Sequence, residues 1–165
     1  MRNPAELTSA FRARGLKVTP QRQLLFRLLH GNTAHPSADA LYALAHAEMP
    51  GISLRTVYQT LTDLAAMGEL DSLSLGGATR FDPNTDPHHH AQCSRCGALH
   101  DVYVEQLDCL EVRGLDGFTP NGATIVFSGL CAACTGLGAP RAAAAASEHA
   151  PVEQFSTPTP KEQSP

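Results

Sequence analysis

Two short runs, Cys93-Ser94-Arg95-Cys96 and Cys131-Ala132-Ala133-Cys134, each set a pair of thiols three positions apart. That spacing places two sulfurs on one side of a tight turn, and two such turns can close a tetrahedral four-sulfur shell around zinc with bonds of about 2.3 Å. A closed shell keeps no open position, so a zinc held this way is structural. The same residue types also admit redox pairs or plain buried thiols. Five cysteines in a chain with no export signal favour a metal over a disulfide framework. The fifth, Cys109, lies among Leu107 and Leu110 and is expected to pack inside a helix.

A second set is free of sulfur: His88-His89-His90, Asp82, Asp101 and His35. In an extended segment alternate side chains share a face, so His88 and His90 converge while His89 points away. Imidazole with carboxylate suits iron(II), manganese(II), zinc or nickel and disfavours copper(I). Spacing alone leaves a solvated histidine loop open as the alternative. It also leaves Asp82 and Asp101 as ordinary surface carboxylates and His35, before Pro36, as a loop residue.

These residues need elements to hold them. The first half of the chain reads as four helices, each with a start signal: Asn3-Pro4, Thr19-Pro20, Ser37 and Ser53. Their apolar faces are Leu7, Ala10 and Phe11; then Leu24, Leu25, Leu28 and Leu29; then Leu41, Leu44 and Ala45; then Leu54, Val57, Leu61 and Leu64. Gly15, Gly31, Pro50-Gly51 and Gly68 end them. The outer face of the fourth helix carries Arg55, Thr56, Gln59, Thr60 and Asp63, with Tyr58 near its edge. From Glu69 to Asp82 the period switches to alternation around Gly76-Gly77, a hairpin signal. Helices followed by a hairpin make a winged helix-turn-helix. The second half is mixed: a strand near Ala98–Val104, a helix near Glu105–Leu115 and a strand at Thr124–Leu130.

The fold class expected is therefore α+β. It comprises a winged-helix domain (1–80), a short connection (81–87), an α/β domain bearing the paired CxxC knuckles (88–135) and a disordered tail (136–165). The tail is rich in Ala, Pro, Ser and Thr and has too few large apolar residues to offset its ordering entropy. The chain's 165 residues leave no room for a large catalytic scaffold, and no apolar run approaches the roughly 18 residues of a membrane span. The N-terminal segment has charges where a signal peptide needs an apolar stretch, so the expectation is a soluble cytoplasmic protein. The net charge of −4 argues against a generic polyanion binder. Yet residues 1–27 carry six basic side chains against Glu6 alone, a local face able to meet phosphates.

Six stretches together carry a family resemblance: GLKVTPQR (15–22), HPSADALY (35–42), ISLRTVYQTL (52–61), RFD (80–82), HHHAQCSRCG (88–97) and CAAC (131–134). In their order and spacing, over about residues 5–134, the chain resembles the ferric uptake regulator family of metal-dependent bacterial repressors. The resemblance implies structural zinc on Cys93, Cys96, Cys131 and Cys134. It implies a regulatory iron(II) or manganese(II) on His35, Asp82, His88, His90 and Asp101, drawn from both halves of the chain. It further implies that 1–80 is the DNA-binding domain, 81–87 a hinge and 88–135 a zinc-containing dimerisation domain, in a homodimer that places the Ser53–Met67 helix in the major groove of a double-stranded operator. Tyr58 would meet thymine methyls there, with Arg55, Thr56 and Gln59 at phosphates or base edges. Lys17 is similar to the family's basic residue that reaches the minor groove. RFD and the aspartate at 101 are similar to the peroxide-sensing branch; iron-uptake regulators more often have glutamate there. Thr124–Leu130 lacks the histidine of an additional family metal site, so no third site is expected.

The expected function is a metal-dependent repressor of metal-homeostasis or peroxide-stress genes, with neither a membrane nor a small-molecule substrate as partner. An iron- or manganese-uptake regulator without peroxide sensing is the alternative. A zinc-storage or trafficking module would not need the winged helix or the basic first domain. A metalloenzyme would need an open ligand position beside a general base, and no HExxH or comparable motif occurs.

Overall fold

Each helix of the N-terminal half begins on a side chain that satisfies its own first-turn amides. Asn3 accepts from the N–H groups of Ala5 and Glu6 while Glu6 accepts in return from the N–H of Asn3, a capping box on α1 (Pro4–Ala13). Thr19 caps α2 (Pro20–Leu29), Ser37 caps α3 (Ala38–Glu48) and Ser53 caps α4 (Leu54–Ala66). Pro4 and Pro20 occupy first-turn positions, where a missing N–H costs nothing. Gly68 follows α4 at φ +70°, a left-handed conformation in which a side chain would be strained. The computed structural model describes residues 1–75, 77–106, 112–120 and 122–136. Gly76 of the expected hairpin turn, Cys109 with the middle of the expected 105–115 helix, and the tail beyond Gly136 lie outside the described residues.

The four helices enclose one core in which Leu7, Phe11, Leu25, Phe26, Leu29, Leu41, Val57, Leu61 and Leu64 are buried. Phe11 and Phe26 meet edge to face at 4.8 Å. Two expectations about faces are corrected. Leu44 is 51% exposed, because Leu41 and Ala45 already fill the α3 stripe and Leu44 falls on its margin. Thr60 belongs to the core rather than to the outer face of α4, its hydroxyl donating to the Thr56 carbonyl at 2.7 Å.

β1 (Asp71–Leu73) and β2 (Arg80–Asp82) pair antiparallel, with Asp71 opposite Asp82, as the wing. The N–H of Phe81 donates to the Pro36 carbonyl at 3.0 Å, and a bridge joins Ser37 to Arg80. The His35–Ser37 segment is thus tied to β2. A second sheet has the order β4-β3-β5: β3 (His89–Cys93) runs antiparallel to β4 (Leu99–Val102) and parallel to β5 (Val126–Gly129). A short α5 (Ala132–Thr135) follows. The strands at 98–104 and 124–130 are present but shorter than expected. The 105–115 helix is not found among its described residues. Gln106 at φ +57° and Gly114 at φ +85° are both left-handed, so no α-helix can run through either position. No helix among the described residues is long and apolar enough to cross a membrane.

Candidate metal centres

The four CxxC sulfurs come together where the β3–β4 turn meets the start of α5. Their Sγ atoms all lie within 4.8 Å of one another, and Cys96 Sγ stands 3.7 Å from Cys131 Sγ. A tetrahedron with zinc–sulfur bonds of about 2.3 Å has edges of about 3.8 Å, so the spacing fits. The N–H of Gly97 donates to the Cys93 carbonyl at 2.8 Å and closes the first knuckle, with Gly97 at φ +70°. Arg95 donates to the Cys134 carbonyl at 2.6 Å and joins the two knuckles. The N–H of Cys131, together with other backbone donors, lowers the Cys93 thiol to about 5. Burial and the three neighbouring sulfurs push Cys134 up to about 12. Four thiolates this close repel one another unless a dication neutralises them, which is the chemistry zinc supplies.

The second cluster forms where the two halves of the chain meet. Strand register sets Asp101 on β4 opposite His90 on β3, and the Pro36–Phe81 bond brings His35 to Asp82 at the end of β2. Asp82 Oδ2 lies 2.8 Å from His88 Nε2, 3.1 Å from His90 Nε2 and 3.2 Å from His35 Nε2. His88 Nε2 and His90 Nε2 are 3.0 Å apart, and His35 Nε2 is 2.8 Å from Asp101 Oδ1. Such separations are those of neighbouring donors at right angles around one ion with bonds of about 2.1 Å. One ligand atom from each of the five residues lies within 4.8 Å of all the others. His35 Nε2 and Asp101 Oδ1, though close, are buried without a hydrogen bond of acceptable geometry. Buried polar atoms left in that state, converging on one point, fit a cation between them.

Electrostatics and local structure agree with this arrangement. Burial raises the Asp82 carboxyl, but the close His35 imidazole, the Asn84 N–H and the His90 imidazole outweigh it and hold the group well below the usual carboxylate range. The nearby Asp82 carboxylate raises His35 against the opposing effect of burial. The Asp86 carbonyl lies 2.7 Å from His88 Nδ1, so this nitrogen carries the proton and Nε2 keeps its lone pair. His35 sits at φ +47°, a conformation uncommon outside glycine, held by the bond of Pro36 to β2. His89 turns away, as alternation requires, and its Nδ1 takes the N–H of Ile125 at 3.3 Å. His100 is exposed and outside the cluster.

The residues expected at DNA divide between a loop and a helix. Lys17 is exposed between α1 and α2; Arg55, Tyr58 and Gln59 are exposed along α4, and Thr56 is half-buried with its hydroxyl 2.9 Å from that of Ser53. Lys17, Arg55, Thr56 and Gln59 line one shallow cleft with Arg22. Sequence reasoning missed Arg22 and Asp63 as a pair: they form a 2.6 Å salt bridge between α2 and α4, and Asp63 also accepts from Gln59 at 2.9 Å. It also missed Asn84, whose one signal was its place two residues after Asp82, where an amide readily bonds back to a carboxylate.

Comparison with known proteins agrees with the arrangement. Residues 13–125 match the model of the ferric uptake regulator family. A peroxide-responsive repressor, PerR, of Staphylococcus epidermidis is 33% identical over 132 residues, covering 78% of this chain and 88% of that protein. The fold is similar to that of a zinc-bound manganese uptake regulator (TM-score 0.64, 22% identity, 79% of this chain and 99% of that one). It is also similar to the ferric uptake regulator of Helicobacter pylori (TM-score 0.66, 16% identity, 82% and 93%). On the family match and the identity to the S. epidermidis protein, the chain belongs to the ferric uptake regulator family of metal-dependent transcriptional repressors.

Proposed function

We propose that the chain is a cytoplasmic, homodimeric repressor whose operator affinity is set by iron(II) or manganese(II) on His35, Asp82, His88, His90 and Asp101. The observation that carries this reading is the convergence of five donor atoms from segments on either side of residues 83–87. His35 and Asp82 belong to the winged-helix half (1–80) and its hinge (81–87), whereas His88, His90 and Asp101 belong to the 88–135 half. Residues that share one ion hold the two halves at one angle. Binding that favours this angle shifts the population toward it, by no more than the difference in affinity between the two arrangements. In a dimer, that angle sets the spacing of the two α4 helices, so Arg55, Thr56, Tyr58 and Gln59 meet successive major grooves together and Lys17 reaches the flanking minor groove.

Cys93, Cys96, Cys131 and Cys134 hold structural zinc in this reading, clamping the β3–β4 turn to α5. Dimerisation through 88–135 is supported by the exposed apolar side chains of that half, among them Val112, Phe118, Phe127 and Leu130.

The finer reading is peroxide sensing, which the S. epidermidis relative's name and Asp101 support. Iron(II) held by these residues would supply the redox chemistry by which hydrogen peroxide transfers one oxygen to an adjacent imidazole and leaves as water, and manganese(II) would do so far less readily. His35, His88 and His90 present Nε2 to the site with no thiol among them, so the imidazoles are the oxidisable groups at hand. A histidine carrying an added oxygen is a poor ligand, the two halves separate, and the operator is freed. Iron-loaded and manganese-loaded proteins exposed to low peroxide, digested with trypsin and weighed, test this. One added oxygen on a ligand histidine of peptide 28–55 or 81–95, in the iron form alone, is expected. Unmodified histidines with retained operator binding would leave an iron- or manganese-uptake regulator.

A further inference from the structure

Asn84 is half-buried in the connection between β2 and β3 and is not itself a donor in the five-residue cluster. Its hydrogen bonds nevertheless reach both carboxylates. Its backbone N–H donates to Asp82 Oδ1 at 2.8 Å, and its side-chain Nδ2 donates to Asp101 Oδ2 at 2.7 Å. The oxygens left over, Asp82 Oδ2 and Asp101 Oδ1, are those that face the imidazoles. Nδ2 also donates to the Tyr103 hydroxyl oxygen at 3.1 Å, and Asn84 Oδ1 accepts the N–H of Asp86 at 3.3 Å. Both donors and the acceptor of the amide are thus used, and its orientation follows: the nitrogen faces a carboxylate and the oxygen faces an N–H.

We propose that Asn84 is a positioning residue of the regulatory metal site, holding the outer oxygen of Asp82 and of Asp101 so that each carboxylate presents a single oxygen to the ion. This rests on the five-ligand reading above. A free aspartate offers two equivalent oxygens and can rotate to bind through either or both, so its contribution to affinity is reduced by the freedom it loses on binding. Asp101 stands one residue before the end of β4, with 18% of its side chain exposed, and depends on such a partner more than Asp82, which three imidazoles surround. The amide removes that freedom before the ion arrives. It also keeps Oδ2 of Asp101 from turning inward, so the site takes three nitrogens and two oxygens.

Removing the Asn84 side chain leaves its backbone bond to Asp82 intact, so the effect of Asn84→Ala runs through Asp101. The test uses full-length, zinc-loaded protein titrated with manganese(II), the free ion being followed by its electron paramagnetic resonance signal, on wild type, Asn84→Ala, Asp101→Ala and the double variant. Asn84→Ala is expected to weaken manganese binding about tenfold, the lower end of the range for an outer partner of a metal ligand. In the Asp101→Ala background the same substitution should change affinity less than twofold. Cobalt(II) in place of manganese gives a second readout: its visible bands should shift in Asn84→Ala, because Asp101 is then free to bind through both oxygens. Unchanged affinity and spectrum in Asn84→Ala, or an equal tenfold loss in the Asp101→Ala background, would overturn the positioning role. Wild-type affinity in Asp101→Ala would instead remove Asp101 from the ligand set, and the proposal with it.

Discussion

Replacing Asp63 by alanine removes the charge that holds α4 against α2. Arg22 Nη2 lies 2.6 Å from Asp63 Oδ2, with only 14% and 13% of the two side chains exposed. Removing one partner of a fully buried pair costs about 3–5 kcal/mol, whereas exposed pairs contribute only about 0.2–1 kcal/mol. This pair is much nearer the buried limit, but Arg22 is not left bare. It still donates to the Lys17 carbonyl at 3.1 Å and stays 5.3 Å over the Phe11 ring. A cost of about 2 kcal/mol follows, between those limits and in line with a charged hydrogen bond. For a fold of this size that lowers the melting temperature by about 6–8 °C. Urea unfolding of zinc-loaded protein measures the cost, and a double-mutant cycle with Arg22→Ala should give a coupling of about 1–2 kcal/mol. Asp63 also holds Gln59, so the variant should bind operator more weakly while both metal affinities stay unchanged. A cost below about 0.5 kcal/mol, the level of an exposed pair, or strict additivity in the cycle would refute the reasoning.

Other outcomes follow from the same contacts. Cys96→Ser should lose zinc and the dimer together, read by metal analysis and light scattering, since structural zinc contributes folding free energy directly; His88→Ala should keep both. Glu69 is buried and its carboxyl is held below its ordinary range: burial raises it, but hydrogen bonds from Arg2 outweigh that. Its contribution is therefore full above the unfolded carboxylate range and is lost as pH falls through the lowered folded value. The stability difference between wild type and Glu69→Gln should be present at pH 6 and vanish toward pH 3, and it should be below about 1 kcal/mol because half of the Arg2 side chain is exposed. Tyr58→Ala should weaken operator binding more than non-specific binding, while Lys17→Ala should reduce the salt slope of binding by about one.

The helices were legible in the sequence because their signals are local. Asn3, Thr19, Ser37 and Ser53 each cap the helix they precede, and capping depends on residues two or three positions away. The four sulfurs were legible for the same reason, each knuckle being one turn long. The nitrogen–oxygen site was not. The meeting of His90 with Asp101 depends on strand register, and that of His35 with Asp82 on one backbone bond between Pro36 and Phe81, so only the family resemblance linked the five. Thr60 was misplaced because a hydroxyl reads as polar in any periodic pattern, although it can satisfy itself on the preceding turn and enter the core. Apolar spacing likewise could not reveal the left-handed backbone at Gln106 and Gly114, near the two bounds of the expected 105–115 helix.

In the proposed mechanism the two metal centres do separate work: sulfur-bound zinc builds the protein, and the ion among three histidines and two aspartates makes it bind DNA. The most direct measurement is fluorescence anisotropy on an operator selected from random duplexes by the manganese-loaded protein, with zinc held at full occupancy and manganese(II) varied. Wild type should gain at least about tenfold in operator affinity on adding manganese, the size of a typical coupling between two sites. His90→Ala, still zinc-loaded and dimeric, should gain nothing. Tight operator binding by the zinc-only wild type, or an undiminished manganese response in His90→Ala, would contradict the account.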